Sequence, residues 1–156
     1  NGGDKLEYIY REKRADLTRQ ISERDYQLRC STALYDAIGE GVSCLHRKIG
    51  MKNVALVTII TDGYENDSKK WTGLAVKTLI DKLRKEDWVF TYIGANQDAI
   101  EVAGQMGIRN ALNFEADEEG TKAMWQAERK SRERYYMRGR IGTAKERLKA
   151  DYFEEE

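Results

Sequence analysis

The chain has 156 residues, and its 27 Lys+Arg are balanced by 27 Asp+Glu. That length fits one domain of ordinary size, and a formal net charge of zero removes any global pull towards nucleic acid or anionic lipid. Hydrophobic residues make up 40%, enough for a core; the absence of proline excludes polyproline segments, and no apolar run approaches the roughly 20 residues that span a bilayer.

Asn1-Gly2-Gly3-Asp4 has the chemistry of a tight hairpin turn, and the alternating Leu6-Glu7-Tyr8-Ile9-Tyr10 that follows predicts its second strand. Arg11 to Arg24 is densely charged, with Leu17 and Ile21 as its few apolar anchors, and predicts a loop or a short helix. Asp25 to Arg29 is a candidate short strand. Ser31 or Thr32 is then placed to cap a helix whose face carries Leu34, Ile38, Val42, Leu45 and Ile49, with Gly50 as its stop.

Val54 to Ile60 reads VALVTII, a continuous β-rich run of the kind found in strands buried on both faces of a parallel sheet. Thr61-Asp62-Gly63 closes it. Asp67 or Ser68 is the expected cap of a second helix reaching about Lys85, with Trp71, Ala75, Leu79 and Leu83 at helical spacing. Trp88 to Ile93 is the next buried strand, ended by Gly94. Asp98 caps a short helix to Met106, and Asn110 to Phe114 is a short last strand. Gly120 to about Met137 predicts a further helix, interrupted at Gly139 and Gly142, with Thr143 to Phe153 as one more. Between Arg129 and Lys149 nine basic residues face two acids, which predicts a solvated helix face, since acids elsewhere offset the charge.

Helix and strand alternate from Thr32 onward. The expected fold class is therefore α/β: a three-layer, Rossmann-like, doubly wound and mostly parallel sheet. Such sheets place their sites at the carboxyl ends of strands, here 61–66 and 94–98. Asp62 is poised there as a hard oxygen ligand, the kind that Mg²⁺ favours, or as a turn residue before Gly63. Glu65, Asn66 and Asp67 predict a solvated loop and helix cap. His46, the only histidine, reads as a solvent-side or helix-end residue. Cys30 and Cys44 make neither a disulfide framework nor a zinc set and read as small buried residues. With a polar opening from Asn1 to Lys5, a cytoplasmic setting is expected. No nucleophile–base arrangement and no phosphate-cradling glycine motif occurs.

Two segments in order, Cys30-Ser31-Thr32-Ala33-Leu34-Tyr35-Asp36-Ala37-Ile38 and Val57-Thr58-Ile59-Ile60-Thr61-Asp62-Gly63, resemble the von Willebrand factor A domain. Thr91 to Asn96 looks like the following strand of its bacterial, intracellular-type members. The resemblance covers roughly residues 4 to 136 and implies a metal-ion-dependent adhesion site. In that site Thr32 and Asp62 would ligate Mg²⁺, with Mn²⁺ or Ca²⁺ as substitutes, and a partner protein's acidic side chain would complete the coordination. The family's further D-x-S-x-S motif is absent from these residues, and Cys30-Ser31 stand where it often has glycine. The expectation is an N-terminally incomplete domain over 1–137, followed by a charged helical extension over 138–156. Metal binding is expected to be weak or absent, no enzymatic activity is expected, and a homodimer would compensate for a missing central strand. Alternatives are an Mg²⁺-dependent phosphoryl-handling enzyme using Asp62, which lacks the usual Lys, base and further carboxylates, and a structural fragment with no working site.

Overall fold

A computed structural model describes residues 7–10, 13–25, 31–50, 53–95, 98–141 and 152–153. Three strands, β1 (Leu56–Thr61), β2 (Val89–Ala95) and β3 (Asn110–Phe114), form a parallel sheet in the order β1-β2-β3. Around it lie four helices: α1 (Leu34–Ile49), α2 (Gly73–Lys85), α3 (Ala99–Gln105) and α4 (Glu118–Ile141). Leu56 pairs with Val89 and Thr61 with Gly94, while Thr91 pairs with Asn110 and Ala95 with Phe114. The chain is thus α/β with an open parallel sheet of Rossmann-like character.

Strand side chains alternate between faces, and here the two faces have different covers. Val57, Ile59, Phe90, Tyr92 and Ala111 point to one side. They meet Leu34, Ile38 and Val42 of α1, Val76, Ile80 and Leu83 of α2, and Ala99 and Ala103 of α3 in one apolar core. The opposite face carries Thr58, Ile60, Thr91, Ile93 and Leu112. There Thr91 Oγ1 donates to Thr58 Oγ1 across the strands (3.1 Å), and α4 packs over the β3 side. Every residue of β2 is buried, as a central strand between two layers requires. β1 is less covered, and its Ile60 is 44% exposed. The VALVTII run therefore departs from a strand buried on both faces, because α4 does not reach across to it.

Helix boundaries follow local chemistry. Gly50 ends α1 at φ 70°, a left-handed conformation that glycine adopts without steric cost. Asp98 caps α3 by accepting from Glu101 N (3.0 Å). β3 lies where the sequence places it. Other expectations are corrected. β1 starts two residues later than Val54, and β2 runs through Gly94 to Ala95. α2 starts at Gly73 with Thr72 as its cap (3.2 Å to Ala75 N), not at Asp67 or Ser68; the Ser68 hydroxyl serves α1 instead, and the Asp67 carboxylate pairs with Lys69 (3.4 Å). α4 starts at Glu118 and passes through Gly139, since one glycine costs a helix only about 1 kcal/mol. Residues 7–10 form no strand, and Tyr8 and Ile9 are exposed, so their alternation has no ladder to join. The charged segment after them makes two single 3₁₀ turns, Ala15–Leu17 and Glu23–Asp25, braced by the Arg19–Asp25 ion pair. Leu17 and Ile21 are exposed there and anchor nothing. The Asn1–Asp4 turn, Leu6, residues 26–30 with Cys30, and most of 143–153 lie outside the described residues; Tyr152 and Phe153 are not helical.

Candidate functional site

At the carboxyl end of β1 the chain must leave the sheet and reach α2. It does so through residues 62–72, a segment stitched to the first half of α1. The stitching starts at Thr61, which is buried. Its Oγ1 donates to Gly63 O (2.9 Å) and receives Gly63 N (3.2 Å), closing a tight turn with Asp62 at its tip. Beyond the turn, Thr32 N donates to Asn66 Oδ1 (2.9 Å) and Asn66 N donates back to Thr32 O (3.1 Å).

The helix start is satisfied from across this gap. Neither Ser31 nor Thr32 caps α1; the boundary residue is Ala33, with no side-chain cap of its own. Glu65 Oε2 accepts from Tyr35 N (2.8 Å), and Ser68 Oγ accepts from Asp36 N (3.0 Å). Glu65 also gathers its own loop, accepting from Asp67 N (3.0 Å), Ser68 N (2.7 Å) and Ser68 Oγ (2.7 Å). In the other direction the Asp36 carboxylate accepts from the backbone N–H groups of Lys69, Lys70 and Trp71 at 2.9, 2.9 and 2.7 Å. An acid on α1 thus holds the loop and an acid on the loop holds α1.

Both acids are kept ionised by these bonds. The N–H of Lys69, followed by those of Trp71 and Lys70, holds Asp36 below the ordinary carboxylate range. Partial burial pushes Glu65 up, but the Ser68 hydroxyl and the N–H groups of Tyr35, Ser68 and Asp67 together outweigh it, and the net shift is downward. Close packing completes the seam. A Cβ on Gly39 would fall 2.0 Å from the Trp71 ring, and one on Gly73 would fall 3.2 Å from Tyr35.

Of the two sequence-predicted ligands, Thr32 packs on the residue that follows the other. Thr32 Oγ1 lies 2.8 Å from where a Cβ on Gly63 would stand, so the hydroxyl is packed on the residue that follows Asp62. Any side chain at 63 would displace it. Asp62 is exposed, and neither its carboxylate nor Thr32 Oγ1 makes a hydrogen bond. The other nearby oxygens are committed: those of Glu65 and Asp36 to backbone N–H groups, and Asn66 Oδ1 to Thr32. Among the described residues no group of three or more His, Cys, Asp or Glu side chains is placed to hold a metal. Thr32 Oγ1 and the Asp62 carboxylate are oxygens of the hard type that Mg²⁺ favours.

The second sequence-predicted loop contributes less. Gly94 and Ala95 are buried in β2, Asn96 and Gln97 lie outside the described residues, and Asp98 is occupied as a cap. His46 is in the last turn of α1, where its Nε2 pairs with Glu86 (2.9 Å) and its ring meets the edge of Trp88 (centroids 5.7 Å apart). Cys44 is a free thiol, half-buried on the same helix.

Asp36 and Glu65 as organisers of the site were not read from the sequence. In the sequence Asp36 carries no distinguishing mark, and Glu65 reads as part of a solvated loop. The available signal was an unfilled one: Ala33 precedes the helix where a capping side chain would stand, so its N–H groups needed an acceptor from elsewhere. No family model matches the chain, and neither curated proteins nor solved structures give a match. No helix among the described residues is long and apolar enough to cross a membrane.

Proposed function

We propose that the chain is a protein-interaction module of the von Willebrand factor A type. In this reading Thr32 and Asp62 are two oxygen ligands of a divalent-cation site that engages an acidic side chain of a partner. The observation that carries it is the contact of Thr32 Oγ1 with Gly63, beside an exposed Asp62 whose carboxylate no described residue engages. It is supported by a loop clasped on both sides by Asp36 and Glu65, which keeps the two ligands in register before any cation arrives. The module reading assigns no chemical step to the chain. A bound Mg²⁺ would supply positive charge for a carboxylate; Thr32 and Asp62 would hold the ion and orient it outward.

Two oxygens, of which one is charged, give a perch of low affinity, on the order of millimolar for Mg²⁺. The test is a Mn²⁺ titration followed by paramagnetic broadening of amide resonances. Broadening centred on Thr32, Asp62 and Gly63, lost in Asp62→Ala and reduced in Thr32→Val, is the expected result. Uniform broadening, or broadening that persists in Asp62→Ala, removes the site. Mg²⁺-dependent binding of a glutamate-bearing peptide is the second stage. With the module we propose a homodimer paired along the outer edge of β1, which has no strand partner among the described residues. A strictly monomeric species in sedimentation would remove that assembly and leave the cation site standing.

A further inference from the structure

The sheet has a second open margin, far from β1. Among the described residues β3 pairs with β2 on one side only, and the backbone groups of Ala111 to Phe114 on its outer side have no partner. Alongside it α4 presents small residues to the strand. Gly120, Ala123 and Ala127 fall at helical spacing on the side that faces Leu112 and Phe114, and they leave a groove of about 390 Å³ floored by those two side chains and Met124. Such a volume takes one or two amino-acid side chains.

The mouth of the groove is acidic. Glu115, Asp117 and Glu119 rim it, and among the described residues no cation answers Glu115 or Glu119. Asp117 Oδ1 is partly used, accepting from Gly120 N (2.7 Å). The amino end of the same strand already receives a piece of chain. Tyr152 N donates to Asn110 Oδ1 (3.0 Å), and its hydroxyl donates to Glu128 Oε1 on α4 (3.3 Å), so that the Tyr152 ring is buried between strand and helix. The space beside β3 therefore admits an added segment, and the groove lies along its carboxyl half.

We propose that the carboxyl half of β3 and the adjoining groove form a docking site for an extended, basic peptide segment of a partner protein. The segment adds to the β3 edge by backbone hydrogen bonds, sets an apolar side chain on Leu112, Phe114 and Met124, and lays Lys or Arg against Glu115 and Glu119. Main-chain pairing supplies affinity, and the alternation of apolar and basic side chains supplies choice of partner. Like-charge repulsion at the rim rejects acidic segments. The site is independent of Thr32 and Asp62.

The probe is a fluorescein-labelled, end-capped hexapeptide of alternating leucine and lysine, with the leucine–glutamate counterpart as control. Anisotropy is expected to show binding of the first at least tenfold tighter than the second, with amide shifts confined to 111–127. Ala123→Leu, at an exposed helix position, fills the groove and is expected to lose at least tenfold in affinity. Glu115→Gln with Glu119→Gln is expected to lose about threefold to tenfold and to flatten the dependence on salt. Asp62→Ala is expected to bind as the parent does. Equal binding of the two peptides, shifts centred on β1, or unchanged affinity in both groove and rim variants overturns the proposal.

Discussion

Replacing Glu65 tests whether the loop that carries Asp62 is held by the clasp described above. Its carboxylate receives three backbone N–H groups and one hydroxyl, and one of those N–H groups belongs to the first turn of α1. Hydrogen bonds to a charged acceptor contribute about 1.5–3 kcal/mol each in mutational series. Water reaches this half-exposed seam and replaces part of what is lost, so the four bonds do not add. Glu65→Ala is expected to cost about 2 kcal/mol, comparable to a lost helix cap plus one loop bond. Glu65→Gln keeps one acceptor oxygen but turns an NH₂ group towards Tyr35 N, and is expected to cost about 1 kcal/mol. In a chain of this size about 2 kcal/mol lowers the melting temperature by roughly 4–8 °C.

The pH dependence gives a sharper check. The folded chain holds Glu65 below its ordinary pKa, so the unfolded chain binds its proton first as pH falls. The stabilisation is therefore fully present above the unfolded value, about 4.3, and is lost as pH falls through the depressed folded value. Urea unfolding of parent and Glu65→Gln across pH 7 to 3 is expected to show a stability gap that starts to narrow as pH falls through the unfolded value, where the unfolded carboxyl takes its proton first. Contributions from Asp36 and other acids cancel in the difference. A gap absent at pH 7, or one that stays constant down to pH 3, refutes the clasp. Ser68→Ala should be strongly non-additive with Glu65→Ala, because Ser68 Oγ bridges Glu65 to Asp36 N.

Gly39→Ala is expected to expel the Trp71 ring and destabilise the fold by about 1–3 kcal/mol, seen as lost near-ultraviolet dichroism, whereas Gly41→Ala, with open space around it, is expected to stabilise α1 by up to about 1 kcal/mol. Gly63→Ala pushes directly on Thr32 Oγ1 and is expected to weaken Mn²⁺ broadening at residue 32 while leaving the melting temperature within a few degrees. Asp98→Ala removes the cap of α3 and is expected to cost about 1 kcal/mol in urea unfolding, with faster amide exchange confined to that helix.

The elements legible in the sequence are those whose residues carry the whole cause of their structure. β2 is a run of side chains that only a central strand can bury, α3 has its own cap and its own glycine stop, and β3 is bracketed by a turn and a cap. The parallel order follows from their alternation with helices. What escaped is what two distant segments decide jointly. The start of α1 depends on Glu65 and Ser68, thirty and more residues away, and the loop that positions Asp62 depends on Asp36 inside a helix. No local pattern marks an acid whose partners are backbone N–H groups of another segment, since backbone donors have no letter in the sequence. The same reasoning separates the candidate ligands from their neighbours. Four acidic or amide side chains, Asp36, Asp62, Glu65 and Asn66, crowd this end of the sheet and look equivalent as a string. Three of them are consumed in holding α1 and the loop together, and that consumption leaves Asp62 exposed, next in sequence to the Gly63 on which Thr32 Oγ1 packs. A cation site here would follow from elimination as much as from attraction: the acids that build the seam cannot also serve the ion, so whatever binds at this edge has to approach Asp62 from solvent.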